Sequence, residues 1–132
     1  GIDGQVATFL GASADCETAW ALLGDLTTLY DANAPALAAQ LKKGKRIIAV
    51  VNNKGGMIFD RLPGAESMSN EMKKWLIQPH DWSIEALAEL WKARFRTVCT
   101  TEDLDFDPEE GLTFVGISPY EAKTGEFWQR YK

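Results

Sequence analysis

The sequence predicts an α/β fold built on a mainly parallel β-sheet with helices on both faces. Two apolar runs, residues 18–24 (TAWALLG) and 46–51 (RIIAVV), have the length and composition of strands that are buried on both faces. Between them, residues 26–43 carry apolar side chains at helical spacing. A strand, a helix and a second strand in this order indicate a right-handed parallel βαβ unit.

Helices are predicted before the first strand and between the two strands. Residues 4–14 are small and weakly apolar, which favours a helix, although Gly11 weakens it. Pro35 divides the connection between the strands into a short turn and a longer helix that begins near Asn33. Gly44 ends that helix, because glycine readily adopts the left-handed conformation that follows a last helical turn.

Two more helices are predicted in the middle of the chain. Either Ser67 or Ser69 caps a helix that runs to about Ile77, since a serine oxygen accepts a hydrogen bond from the first helical turn. After a break at QPHDW, Ser83 is a second candidate N-cap. The helix that follows is amphipathic, with apolar residues at Ile84, Leu87, Leu90 and Trp91.

The last third of the chain predicts two strands and a terminal helix. Residues 95–100 (FRTVCT) and 112–118 (LTFVGIS) have the composition of strands. Between them, residues 101–111 form an acidic loop or a short piece of helix, and residues 121–132 favour a terminal helix. No internal repeat or linker divides the chain, so we expect residues 1–132 to form a single domain.

Composition and charge exclude some classes of function. The net charge of −5 argues against a chain that binds nucleic acid or acidic membranes over its whole surface. Cys16 and Cys99 lack the spacing of metal ligands and fit a reducing, cytoplasmic setting, although a disulfide between them stays open. No apolar stretch approaches the roughly 20 residues of a membrane span. Because the chain starts with GIDGQ, not Met, we expect it to be part of a longer protein.

Polar side chains follow both strands of the predicted βαβ unit. Asp25 ends the first strand, and Asn53 follows the second strand 28 positions later. Neighbouring parallel strands end at the same rim of a sheet, so these side chains are expected to lie close together. Their oxygens suit Mg²⁺, and Gly55 can bring a backbone carbonyl to the same ion. The N–H groups at the start of the helix after Asp25 can donate hydrogen bonds to phosphate oxygens. The three oxygen ligands and these N–H groups together predict a diphosphate that is bound through a divalent cation.

The motifs around these residues resemble a known family. GDLTTLYDANA followed by VVNNKGGMIFDRLP is similar to the diphosphate-binding motif of thiamine-diphosphate enzymes, which is Gly-Asp, a spacer of a little under thirty residues, and Asn-Asn. Within this group, GIDGQ, GDLTTLYD, NNKGGMIFDRLP and QPHDWSIEALAELW resemble the carboxyl-terminal domain of the 2-succinyl-5-enolpyruvyl-6-hydroxy-3-cyclohexene-1-carboxylate synthases (MenD). The resemblance covers roughly residues 1–95 and thins afterwards.

This resemblance implies a fold, a reaction and cofactors. Members of the family carry thiamine diphosphate and Mg²⁺ on a pyrophosphate-binding α/β domain. They decarboxylate 2-oxoglutarate and add the resulting carbanion to isochorismate in menaquinone biosynthesis, with the cofactor thiazolium as electron sink. The chain is therefore expected to be part of a transferase of the carboligase type.

The resemblance also implies roles for individual residues. Asp25, Asn53 and the Gly55 carbonyl would hold magnesium. Cofactor contacts are implied for Ile2, Asp25, Leu26, Asn53, Gly55, Gly56 and Ile58. Substrate contacts are implied for Phe59, Arg61 and Leu62. The apolar members of these sets would keep water from the reactive carbon and lower the dielectric constant there.

Other parts of the family's active site lie outside this chain. The glutamate that activates the aminopyrimidine belongs to the family's amino-terminal domain, which normally comes from a neighbouring subunit. An arginine that meets substrate carboxylate precedes GIDG in the family. We therefore expect the isolated chain to be inactive, the amino-terminal domain to be its partner, and the full chain to form a homo-oligomer.

Simpler interpretations stand beside these. Asp25 could be only a helix N-cap, and Asn52 is expected to bond loop backbone instead of ligand. Lys54 and Arg61 could meet substrate carboxylates or lie in solvent. His80 follows a proline, which is typical of a loop-packing group, and we leave it out of the site. The whole domain could also be a non-catalytic binding module, or part of another thiamine-diphosphate carboligase or decarboxylase.

Overall fold

The structure, a computed structural model, describes residues 2–41 and 43–130 and contains a four-stranded parallel sheet. The strands are β1 (Thr18–Gly24), β2 (Lys45–Val51), β3 (Arg94–Val98) and β4 (Gly111–Ile117), in the spatial order β1-β2-β4-β3. The α-helices are α1 (Gln5–Ala12), α2 (Asp25–Tyr30), α3 (Asn70–Ile77), α4 (Ile84–Leu90) and α5 (Glu121–Gln129). Short 3-10 helices span Ala34–Gln40, Phe59–Arg61, Ala65–Ser67 and Glu102–Leu104. The predicted α/β class with a parallel sheet is confirmed.

One face of the sheet carries the larger core. Parallel pairing aligns Ile48 of β2 with Phe114 of β4, and both side chains are fully buried. Helices α1 and α4 and the 3-10 helix Ala34–Gln40 contribute to this core, because each turns apolar side chains toward the sheet. Its buried members include Val6, Leu10, Ala34, Ile48, Val50, Ile84, Leu87, Ala88, Leu112 and Phe114.

The opposite face is covered by the segment that links β3 to β4. Phe106, just after the 3-10 helix Glu102–Leu104, packs with the smaller core of Ile47, Ala49, Val98 and Val115. Asp103 holds this segment, because its carboxylate accepts hydrogen bonds from the backbone N–H groups of Cys99 and Thr100, which lower its pKa. For residues 101–111 the sequence predicted either an acidic loop or a short piece of helix. The structure shows an acidic loop that contains one short helix, Glu102–Leu104.

The prediction that β1 is buried on both faces is wrong. This strand is at the edge of the sheet, and its side chains alternate between exposed and partly buried. Trp20 and Leu22 are 46% and 70% exposed on the face that carries Phe106. An apolar run looks the same in sequence at an edge as in the centre, because burial depends on neighbours that come from elsewhere in the chain.

The predicted caps and breaks are mostly confirmed. Ser69 Oγ accepts a hydrogen bond from Met72 N at 3.2 Å, and Ser83 Oγ accepts one from Ala86 N at 3.3 Å. The longer helix predicted after Asn33 is a 3-10 helix, with Pro35 in its first turn. Proline is well suited to this position, because the N–H groups of a first helical turn have no partner within the helix.

Two findings bear on the setting of the protein. Cys16 and Cys99 are both free and exposed, so the disulfide left open by the sequence is not formed. Within residues 2–41 and 43–130, no helix has the length and apolar character that crossing a membrane requires. The cytoplasmic location stays a prediction.

Candidate functional site

The ends of β1 and β2 bring the predicted acid and amide together. Gly24 pairs with Val51 in the parallel register, so the residues that follow these two strands leave the sheet at the same rim. Asp25 is only 3% exposed. Its Oδ2 accepts a hydrogen bond from Gly55 N at 2.9 Å, across 30 positions of sequence. The spatial basis of the predicted cation site, two strand ends meeting at one rim, is therefore present.

Asp25 does not act as a simple helix cap. Gly24 is the N-cap of α2, and Asp25 is the first helical residue. Its Oδ1 accepts a hydrogen bond from Leu26 N at 2.7 Å, while Oδ2 reaches the other loop. The predicted donation from the start of α2 to phosphate must use other N–H groups, since that of Leu26 already has a partner.

The side chain of Asn53 completes a cluster of oxygens. Its amide ends 2.5 Å from Gly55 O and 3.3 Å from Asp25 Oδ2, with its oxygen facing these two acceptors. Turned over, the NH₂ group would donate to both acceptors instead. Magnesium binds oxygens at about 2.0–2.1 Å in an octahedron, which places adjacent ligand oxygens about 3 Å apart. The three groups thus fit a hard divalent cation, with the amide oxygen turned inward.

This donor set differs from sites built on charged ligands. In the described part of the chain, no group of three or more His, Cys, Asp or Glu side chains converges to hold a metal. The cluster offers one carboxylate, one amide oxygen and one backbone carbonyl. A set with one carboxylate suits Mg²⁺, which is commonly held by one or two carboxylates together with substrate phosphates.

Backbone geometry explains the glycines in the loop after β2. Gly55 has φ +139°, and a Cβ there would lie 2.7 Å from Ile77 O. Gly56 N donates a hydrogen bond to the same Ile77 carbonyl at 2.6 Å.

Lys54 has φ +68°, and its N–H donates to Asn52 Oδ1 at 3.2 Å. The expected role of Asn52, bonding loop backbone, is confirmed.

The predicted apolar residues lie on the surface beside this loop. Ile58 is 69% exposed, Phe59 38% and Leu62 45%. The ring of Phe59 lies against Gly56, where an added Cβ would be 2.8 Å from Phe59 Cδ2. Three exposed apolar side chains within five positions are unusual for a polar loop, and they suit a surface that a ligand or another domain covers.

No described contact joins Ile2 or Arg61 to the cluster. Ile2 precedes α1 and is 41% exposed. The side chain of Arg61 lies outside the described part of the structure, although its backbone forms the end of the 3-10 helix Phe59–Arg61. Their roles toward cofactor and substrate stay predictions.

His80 lies at the site, although the sequence analysis left it out. Its Nε2 is 3.2 Å from Asp25 Oδ2, and its side chain is 11% exposed. The ring also packs against Trp82, with centroids 5.1 Å apart and ring planes tilted by 33°. The expected packing role of His80 is therefore confirmed, and the contact with Asp25 is additional to it. A single histidine after a proline gives no local sign of a distant carboxylate, and only the folded structure shows the contact.

Comparison with known proteins supports the resemblance seen in the motifs. No protein-family model matches the chain. The chain is 49% identical over 127 residues to a protein of Akkermansia muciniphila, covering 94% of the chain and 24% of that protein. It is 35% identical over 136 aligned residues to a protein of Bdellovibrio bacteriovorus, covering 99% of the chain and 24% of that protein. It is 39% identical over 124 residues to a protein of Oceanobacillus iheyensis, covering 94% of the chain and 21% of that protein.

All three of these proteins are named 2-succinyl-5-enolpyruvyl-6-hydroxy-3-cyclohexene-1-carboxylate synthase. The chain spans about a quarter of the length of each. The chain is therefore a relative of these synthases, similar to them over nearly the whole of its own sequence.

Proposed function

We propose that this chain is the diphosphate- and magnesium-binding domain of a thiamine-diphosphate synthase of menaquinone biosynthesis. The full-length enzyme would decarboxylate 2-oxoglutarate and join the remaining fragment to isochorismate. The observation that carries the proposal is the meeting of Asp25, Asn53 and the Gly55 carbonyl at the rim where β1 and β2 end. The names of the three relatives support a synthase, although they state neither its cofactors nor its substrates.

The polar residues would bind the cofactor's diphosphate through the cation. The Asp25 carboxylate, the Asn53 amide oxygen and the Gly55 carbonyl supply three ligands of one Mg²⁺, and phosphate oxygens would supply others. The buried position of Asp25 strengthens its attraction for a cation, because little water screens it. Leu26 and Gly56 shape the site, since each donates a backbone N–H that fixes the Asp25 carboxylate or the loop.

The apolar residues would shield the reacting end of the cofactor. When bound, the thiazolium ring supplies the electron sink for loss of CO₂. Ile2 would contact the cofactor, and Ile58, Phe59 and Leu62 would exclude water around the reacting carbon. Arg61 would meet a substrate carboxylate.

The chain would work together with a partner domain. An amino-terminal domain, from the same or a neighbouring subunit, would supply the glutamate that activates the aminopyrimidine. Such a domain, together with the cofactor, would cover the exposed side chains of Ile58, Phe59 and Leu62. We propose that the full-length enzyme is a homo-oligomer and that the chain alone is inactive.

Calorimetric titration of the full-length protein tests the site. Asp25→Asn should abolish Mg²⁺-dependent binding of thiamine diphosphate, because it removes the one negative ligand, while its single amide oxygen still accepts one of the two backbone N–H groups. Asp25→Ala should do the same, but it also leaves two buried N–H groups without partners, at about 1–3 kcal/mol of folding stability each. Asp105→Asn, an exposed acid outside the site, is the matched control and should bind normally.

An activity assay with 2-oxoglutarate and isochorismate completes the test. Unchanged cofactor affinity in Asp25→Asn would remove Asp25 from the site. A wild-type protein that binds Mg²⁺ and thiamine diphosphate but does not convert these substrates would favour the non-catalytic module or a different carboligase.

A further inference from the structure

The segment of residues 77–80 contacts both halves of the candidate cation site. The carbonyl of Ile77 accepts a hydrogen bond from Gly56 N at 2.6 Å, which holds the loop after β2. Tyr30 Oη donates to Gln78 Oε1 at 2.6 Å, which ties the segment to the end of α2. The segment therefore lies across the loop that carries two ligands and the helix that carries the third.

His80, the last residue of this segment, lies against the carboxylate itself. Its Nε2 is 3.2 Å from Asp25 Oδ2, and the two side chains are 11% and 4% exposed. The distance suits a hydrogen bond, but the ring N–H is not aligned with the oxygen, and neither ring nitrogen has a hydrogen-bond partner among the described residues. A buried nitrogen without a partner is rare in folded proteins, and the hydrogen bonds of a functional site are commonly best aligned in its complex.

We propose that His80 is a positioning residue for Asp25, which rests on the proposed function of the site. In its neutral form, the ring carries hydrogen on Nε2 and donates it to Asp25 Oδ2. Asp25 would then have three fixed donors, from Leu26 N, Gly55 N and His80 Nε2, that orient its carboxylate toward the cation. Hydrogen bonds of this kind hold metal ligands in place and raise the affinity of the site.

Two alternative roles of His80 are less favoured by the same contacts. As a direct ligand, its ring nitrogen would replace an oxygen around a cation that prefers oxygen. As a packing group only, the ring would need no more than its stacking on Trp82, and its nitrogens would not have to face the carboxylate. Placement of Nε2 against Asp25 instead points to the positioning role.

Three substitutions in the full-length protein separate the positioning role of His80 from a packing role alone. His80→Phe keeps a flat ring on Trp82 but removes the N–H. His80→Gln offers an amide N–H near the position of Nε2. Tyr30→Phe is the matched control, because it removes the hydrogen bond to Gln78 in the same segment without touching Asp25. Mg²⁺ affinity is measured by calorimetric titration at saturating thiamine diphosphate, and the melting temperature is measured without ligands.

We expect His80→Phe to weaken Mg²⁺ binding by about tenfold or more, which is the usual effect of losing such a supporting contact. His80→Gln should retain most of the affinity, and Tyr30→Phe should change it little. The melting temperatures of the ligand-free variants should stay close to that of the wild type.

Either of two results would overturn the positioning role of His80 and leave the proposed function of the site standing. One is wild-type Mg²⁺ affinity in His80→Phe. The other is an equal loss of affinity and of ligand-free melting temperature in His80→Phe and His80→Gln, which would reduce His80 to a packing group. A wild-type protein without Mg²⁺-dependent cofactor binding would overturn the proposed function, and the inference with it.

Discussion

At the scale of single residues, Asp25 shows how one side chain combines a structural and a proposed ligand role. Its two oxygens accept N–H groups from Leu26 and Gly55, and the second oxygen also faces Asn53 and His80. The proximity of Asp25 and Asn53 was predictable, because each lies within two residues of the end of an apolar strand of a βαβ unit. His80 was not, because it reaches the site from a different connection.

The residue-scale prediction concerns Phe59. Its ring lies against Gly56 at the edge of the candidate site, so Phe59→Ala should open the reacting end to water without removing a cation ligand. We expect kcat of the full-length enzyme to fall about tenfold, which corresponds to about 1.4 kcal/mol of activation free energy. Cofactor affinity, measured by calorimetry, should change by less than about twofold, because the substitution leaves the contacts that bind the cofactor in the ground state in place.

Leu90→Ala is the control for Phe59, since it truncates a side chain that is 68% exposed on α4. This variant should keep wild-type kcat and affinity. Equal losses of turnover and cofactor binding in Phe59→Ala would make Phe59 a packing residue only.

At the scale of elements, local chemistry accounts for most boundaries. Ser69 and Ser83 start α3 and α4 through the hydrogen bonds that their side chains accept. The loop after β2 depends instead on a tertiary contact, because Gly55 and Gly56 pass close to the carbonyl of Ile77 at the end of α3. The sequence indicated that Gly55 could bring its carbonyl close to an ion, but it gave no indication of the element against which the two glycines pack.

The element-scale prediction compares two glycines. Gly55→Ala places a Cβ 2.7 Å from Ile77 O at φ +139°, so the loop must move. We expect the free energy of unfolding to fall by about 1–3 kcal/mol. We also expect Mg²⁺-dependent cofactor binding to be lost, because the loop that carries the Gly55 carbonyl has moved. Chemical denaturation and calorimetric titration of the full-length protein measure the two effects.

Gly11→Ala is the matched substitution, because a Cβ at this position of α1 meets nothing within 4 Å. It should raise stability by about 0.5–1 kcal/mol, the usual difference between alanine and glycine in a helix. Normal stability and binding in Gly55→Ala would show that the loop tolerates a side chain and would weaken the assignment of its carbonyl.

At the scale of the whole molecule, large apolar side chains remain on the surface. Trp20 and Leu22 are exposed on edge strand β1, and Ile58, Phe59 and Leu62 are exposed beside the candidate site. Surfaces of this kind commonly mark contacts with other domains or ligands. The chain also spans only about a quarter of the length of its relatives.

The whole-molecule prediction follows from the proposed division of the active site between two domains. The isolated chain of residues 1–132 should not convert 2-oxoglutarate and isochorismate, whereas the full-length protein should, because the activating glutamate is proposed to lie in the other domain. Turnover is measured by product formation, and circular dichroism checks that the isolated chain is folded. Product formed by the folded, isolated chain would contradict the proposed division.

Residue patterns alone were enough to predict the parallel α/β class, the order of the elements, the Ser83 cap and the proximity of Asp25 and Asn53. Each of these depends on side-chain periodicity, on cap chemistry or on the rule that neighbouring parallel strands end at one rim. Only the tertiary structure decided that β1 is an edge strand, that β4 lies between β2 and β3, and that His80 contacts Asp25. The reason is that these features depend on which distant segments become neighbours, and no local pattern of residues encodes that choice.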